Sequence, residues 1–161
     1  METKRAYKFR FYPTTQQEEI LAKTFGCARF AYNYMLRLRT DAWFDRQERM
    51  GYHETSAALT ALKKTEEHAW LNEVSSVPVQ QSLRHLQTAF GNFFARRNKY
   101  PTFKKRNGAQ SAEYTTSAFK WSNGKLRVAK MDAALNIRFS RTIPKAAVVT
   151  TVTVSKDTAG R

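Results

Sequence analysis

The opening residues constrain the fold most. In Lys4–Tyr12 (KRAYKFRFY) apolar and cationic side chains alternate, with Tyr7, Phe9 and Phe11 on one side of an extended chain and Lys8 and Arg10 on the other. A period of two means a strand with one face for a core and one cationic face. Pro13 ends it, since proline brings no donor to a ladder.

Helical patterning follows. Thr15 with Glu18 makes a capping-box pattern that opens one helix. A second helix is expected from Gly26 to Arg49, where Phe30, Tyr34 and Leu38 recur at four-residue spacing beside Cys27 and Met35. Arg49–Tyr52 reads as a connection. Ser56 suits the cap of a third helix carrying Leu59 and Leu62. Ser76 and Pro78 suit the cap and first turn of a fourth, which carries Val79, Leu83, Leu86, Phe90, Phe93 and Phe94.

The character changes near Arg96. Arg96–Arg106 is basic and aromatic, and Pro101 opposes further helix. Asn123-Gly124 is a hairpin signal, and Leu126–Ala129, Leu135–Phe139 and Val148–Val154 are β-prone. Val148, Thr150, Val152 and Val154 share one face. Ser155–Arg161 then looks like a hairpin turn with no returning strand, which reads as a truncated or split sheet with an exposed edge rather than as a frayed tail.

The formal net charge is +15, from 28 Lys+Arg against 13 Asp+Glu. A domain this basic repels itself, and a polyanion relieves the repulsion. Nucleic acid is the usual polyanion, with an anionic membrane as the alternative. Ten of the acids lie at or before Glu73, so the later part is the more basic. A single cysteine excludes an intrachain disulfide framework. No apolar run marks a signal peptide or a membrane span, and a cytoplasmic protein is expected.

The acids are scattered, and the adjacent pairs Glu18/Glu19 and Glu66/Glu67 do not share a helix face. His53, His68 and His85 lack ligand spacing, and Cys27 sits on an apolar stripe, as a core thiol does. No catalytic or metal-binding residue is expected. Binding signals are stronger. Cations mixed with aromatics let a surface neutralise phosphates and stack on bases. Arg96–Arg106 is the strongest case, although a solvated basic linker has the same composition. The cationic face of the first strand is the second, against an ordinary polar sheet face. Tyr32-Asn33 reads equally as a base reader or as a core Tyr beside a surface Asn.

Several stretches resemble the TnpB/OrfB proteins of bacterial insertion sequences. They are Tyr7–Thr14 followed by Gln17, Gly26–Asn33, Trp70–Val74, Gln80–Leu83, Ala89–Phe94, Pro101–Lys105 and Val152–Asp157. The similarity runs in order along nearly the whole chain. It implies an α+β fold, in which a helical bundle is inserted between the first strand and the remaining strands of a small, incomplete antiparallel β-barrel. The implied divisions are residues 1–13 as the first barrel strand, 14–98 as a helical recognition domain, and 99–161 as a basic linker and the remaining strands. The resemblance further implies an RNA-guided DNA endonuclease whose RuvC-like nuclease domain, with its divalent metal and a separate zinc ribbon, lies beyond this sequence. The expected partners are a structured guide RNA from the transposon end, double-stranded target DNA and a separately encoded nuclease half. No membrane partner and no cofactor in this chain are expected.

By the same resemblance, Tyr52, Ser56, Ser76, Val77, Gln80, Ser117, Phe119 and Lys120 are expected to read a DNA motif flanking the target. Gln80 is the foremost of these, because an amide bonds adenine in bidentate fashion. Ser76 reads equally as a plain helix cap. RNA contacts are expected from Lys4, Arg5, Lys8, Arg10, Arg29, Asn33, Lys104 and Lys105, with a structural ion pair as the other reading of Arg29. A nuclease-less DNA-binding regulator and a decayed gene remnant are the alternative functions.

Overall fold

The computed structural model describes residues 2–161. Its longest element is α1, Thr15–Arg46. Thr14 caps it: Oγ1 accepts the Gln17 N–H at 3.2 Å, and Gln17 Oε1 accepts the Thr14 N–H at 3.0 Å. The capping box expected at Thr15 and Glu18 therefore forms one residue earlier. Gln17 sets this register, because it is buried and its Nε2 donates to the carbonyls of Ala133 and Ala134 at 3.2 and 3.4 Å. Glu18 remains in the first turn, where a carboxylate favours the helix dipole. Thr14→Ala is expected to cost about 1 kcal/mol and to lower the thermal midpoint by about 2–4 °C, measured by circular dichroism.

The expected break before Gly26 is absent, and α1 runs through it. A helix-interior glycine costs about 1 kcal/mol relative to alanine, but packing on both sides outweighs this. Leu21 and Phe25 enter one core, and Cys27, Ala31, Met35 and Leu36 enter another. Gln47, left-handed at φ 52°, ends the helix.

Helix α2, Tyr52–Lys63, starts ahead of Ser56. The Glu54 carboxylate accepts the Gly51 N–H at 2.8 Å, which leaves Ser56 in the helix body rather than at its cap. Backbone N–H bonds from Glu54 itself and from Gly51 hold this carboxyl below its ordinary range. A 3-10 turn, Ala69–Glu73, returns the chain, and Asn72 Nδ2 donates to the last α2 carbonyl, that of Lys63, at 2.9 Å. Helix α3, Ser76–Phe94, is capped by Ser75, whose Oγ accepts the Val77 N–H at 3.3 Å. Ser76 is thus the first helical residue and not the cap. Leu59, Leu71, Val79, Leu83 and Leu86 close the core between the helices.

The strands pair antiparallel in three ladders: β1 (Arg10–Phe11) with β5 (Ile137–Arg138), β2 (Gln110–Thr115) with β6 (Thr151–Lys156), and β3 (Phe119–Ser122) with β4 (Lys125–Val128). The fold is α+β as expected, and the barrel stays open. Asn123 and Gly124 join β3 to β4 with φ of 52° and 72°, the double left-handed turn that Asn-Gly favours. A second core of Ala112, Tyr114, Val128, Leu135 and Val154 lies between the ladders and the first turns of α1. Two strands are shorter than their patterns. Burial alternates from Tyr7 to Phe11, yet only Arg10 and Phe11 find a ladder partner. Val148 is 83 % exposed and precedes β6, so the inward face reduces to Val152 and Val154.

Candidate nucleic-acid interface

Three basic or polar surfaces emerge. The first lies where α2 meets α3. Gln80 Nε2 donates to Tyr52 Oη at 2.7 Å and to Ser56 Oγ at 2.6 Å, and the Arg84 guanidinium sits 4.3 Å over the Tyr52 ring. Both amide hydrogens are used, which leaves Gln80 Oε1 as the remaining acceptor. Hydroxyls donate as readily as they accept, so the amide turned over presents its NH2 instead. Either way it offers a base one kind of group, and bidentate contact with adenine requires releasing a hydroxyl. Ser76 is exposed one turn before Gln80, and with Ser75 as the cap its hydroxyl has no capping duty. Val77 and Phe119 pack against the same core, and His85 Nε2 lies 3.5 Å from Glu113 Oε1. Of the Ser117–Lys120 turn, Ser117 and Lys120 are exposed and Phe119 is half-buried. Of the eight expected DNA-motif residues, Tyr52, Ser56 and Gln80 are joined by hydrogen bonds.

The second surface is the segment from Tyr100 to Gln110, which lies as a strap along α1. Tyr100 Oη and Thr40 Oγ1 are 2.7 Å apart. Asn33 grips the Lys104 backbone, its Nδ2 donating to the carbonyl at 2.9 Å and its Oδ1 accepting the N–H at 2.7 Å. Lys104 Nζ sits 4.6 Å over the Tyr32 ring, where loss of solvation lowers its pKa although part of the side chain stays exposed. Gln110 Nε2 donates to the carbonyls of Lys105, Arg106 and Gly108, and its Oε1 accepts from Arg29 Nη1 at 3.0 Å. Asn33 and Arg29 thus hold the strap, which presents Lys105 to solvent. The alternative of Arg29 in an ion pair is not what forms, since its partner is a neutral amide. Gln110 had no sequence signal, because a glutamine before a strand resembles any polar residue.

The third surface is carried by the strands. Lys4, Arg5, Lys8 and Arg10 are exposed. On the opposite side Tyr7, Phe9, Phe139 and Trp121 make a continuous aromatic row, with successive ring centroids 6.1, 5.2 and 6.0 Å apart. The ladders add a feature that linear spacing hides. Arg10 stands directly opposite Arg138, and Lys120 opposite Arg127, all four exposed. Like charges directly opposite destabilise an antiparallel pair. Lys120, Lys125 and Arg127 also line an open hollow of about 440 Å³ in which Asp132 is the sole acid.

The helix-turn-helix domain profile of IS605-type OrfB proteins matches residues 1–48. A Streptomyces pristinaespiralis protein named as a candidate RNA-guided DNA endonuclease is 59% identical over 161 residues, which is 99% of this chain and 40% of that protein. The chain belongs to the TnpB/OrfB family. The Escherichia coli K12 protein InsQ, named in the same way, is 32% identical over 71% of this chain and 28% of its own length. The virulence protein VsdF of Salmonella dublin is 32% identical over 65% of this chain and 95% of its own length. This TnpB/OrfB chain thus spans less than half of the first two relatives.

In this family member the matched residues form β1 and the single unbroken α1. No group of three or more His, Cys, Asp or Glu side chains comes together among the described residues. The Cys27 thiol is buried and pushed up to about 11, first by that burial and then by Glu73, which leaves it a poor nucleophile. No helix among the described residues is long and apolar enough to cross a membrane.

Proposed function

We propose that this chain is the recognition part of a transposon-associated RNA-guided DNA endonuclease. It holds a structured RNA from the transposon end on its strap and strand surfaces. It reads a short DNA motif flanking the target with Tyr52, Ser56, Ser76, Val77 and Gln80 and with the Ser117–Lys120 turn. Metal-dependent cutting is assigned to residues outside this chain. The observation that carries the reading is the pair of cation-on-cation ladder contacts, Arg10 with Arg138 and Lys120 with Arg127. A fold gains nothing from such contacts in isolation, and a row of phosphates turns each into a binding site.

The test is equilibrium binding of the purified chain to RNA from the end of its own element and to unrelated RNA of equal length. Tight binding of the first is expected, with affinity falling roughly 10³-fold or more between 50 and 200 mM salt, as expected when six or more phosphates are neutralised. Equal affinity for both RNAs would overturn the proposal. In the RNA complex, Gln80→Ala is expected to lower discrimination between flanking DNA motifs by about tenfold, within the range of one specific base contact, with RNA affinity unchanged.

A further inference from the structure

The exposed side of α1 carries an open groove of about 540 Å³, and the residues that shape it are Gly26, Arg29, Phe30, Tyr34, Trp70 and Phe103. We infer that this groove seats one unpaired nucleotide of a single strand, its base against the aromatic wall and its phosphate at Arg29 over Gly26. The inference rests on the reading of the chain as a nucleic-acid-binding protein and deepens it.

The aromatic wall is built and yet left open. Phe30 lies 4.9 Å from Trp70 and 5.6 Å from Tyr34 between ring centroids, so the rings hold one another in place. Trp70 Nε1 is tied to the Glu67 carbonyl at 3.1 Å. Even so, Tyr34 is 38 %, Trp70 39 % and Phe103 52 % exposed. Phe103 enters from the strap, next to Lys104, whose backbone Asn33 clamps. Fixed, half-exposed rings are what a base stacks on at little entropic cost.

The charges single out Arg29. Of the cations around the groove, Lys23 is 3.6 Å from Glu73 and Arg37 is 3.0 Å from Asp41. Arg29 bonds a neutral amide, so its full charge faces the groove. Gly26 is the second, independent sign. Glycine is among the least favourable residues inside a helix, and here packing does not require it. A Cβ at Gly26 would meet only Arg29 Nη2, at an ordinary 3.9 Å. A bare helix backbone beside a free guanidinium leaves room for close approach by a ligand.

The test uses the full chain with a labelled oligouridine, the matching oligothymidine and a blunt DNA duplex of the same length. Phe103→Ala is expected to weaken single-strand binding by about tenfold, the loss of one stacked base, and to leave duplex binding unchanged. Trp70→Ala behaves alike, and Trp70→Phe restores most of the affinity. Gly26→Ala is the sharpest variant: it raises the melting temperature by about 2–4 °C and still weakens single-strand binding several-fold. Equal losses for the two single strands assign the site to base and phosphate, and a larger loss for oligouridine adds the ribose hydroxyl. If the parent binds single strands and neither Phe103→Ala nor Gly26→Ala weakens that binding, the groove is overturned and the proposed function stands. A parent that binds neither single strand likewise overturns the groove, and one that also fails to bind RNA from the end of its own element overturns both.

Discussion

Leu83→Ala is expected to lower stability by about 2–5 kcal/mol, the range for a leucine removed from a closed core. The side chain is completely buried on α3, among Val79, Leu86 and the inward face of α1. The more informative part of the expectation is that the strands melt with the helices. Helix α1 supplies Leu21 and Phe25 to the strand core and Ala31, Met35 and Leu36 to the helical core. Loss of packing on one half of this rod therefore frees the other half. The helical circular-dichroism signal and the emission of Trp121 on β3, with Trp43 and Trp70 replaced by phenylalanine, should follow one transition at a lower temperature. Two separated transitions would show that the cores are independent.

Asn33→Ala is expected to unfasten the strap. The two bonds to Lys104 contribute about 1–3 kcal/mol together, and a difference of 1.4 kcal/mol is tenfold in a population. Trypsin cleavage at Lys104, Lys105 and Arg106 should then be about tenfold faster when opening precedes cutting. RNA affinity should fall in the same variant, because Lys104 is no longer held in place before binding. Asn33→Asp separates the two bonds. Its carboxylate still accepts the Lys104 N–H and cannot donate to the Lys104 carbonyl, so cleavage should be intermediate. Unchanged proteolysis in both variants would show that Tyr100 and Gln110 suffice to hold the strap.

The fold class and the core face of α3 were legible because they depend on period alone. The stripe expected on α1 was displaced: Ala31, Met35 and Leu36 are buried, Phe30 and Leu38 only partly so, and Tyr34 is exposed. Val79, Leu83, Leu86 and Phe90 are buried as their spacing requires, and Asn123-Gly124 makes its turn by local sterics. Helix boundaries were less legible, since each is settled by a tertiary or competing bond. Gln17 moves the first cap by reaching Ala133 and Ala134, Glu54 displaces Ser56 from the second, and Ser75 relieves Ser76 of the third. Gly26 looked like a break, and packing on both sides carries the helix across it. Among the candidate interface residues, composition marked the basic strap but not its fastening to α1. Nothing in the order of residues showed that Asn33 and Gln110 are its clasps. Cross-strand partners were equally hidden, because Arg10 and Arg138 meet only when the register is known.

Those opposed cations bear on how the protein persists in a cell. A ligand that binds the folded chain alone adds stability by RT ln(1 + [L]/Kd), about 2.7 kcal/mol at a hundredfold excess over Kd. A chain that carries its own repulsion as Arg10 over Arg138 and Lys120 over Arg127 starts from a lower base, so the same term is a larger share of its stability. Chain made in excess of its nucleic acid then opens more often and reaches proteases sooner. On the proposed function, the amount of folded chain follows the supply of the nucleic acid it binds.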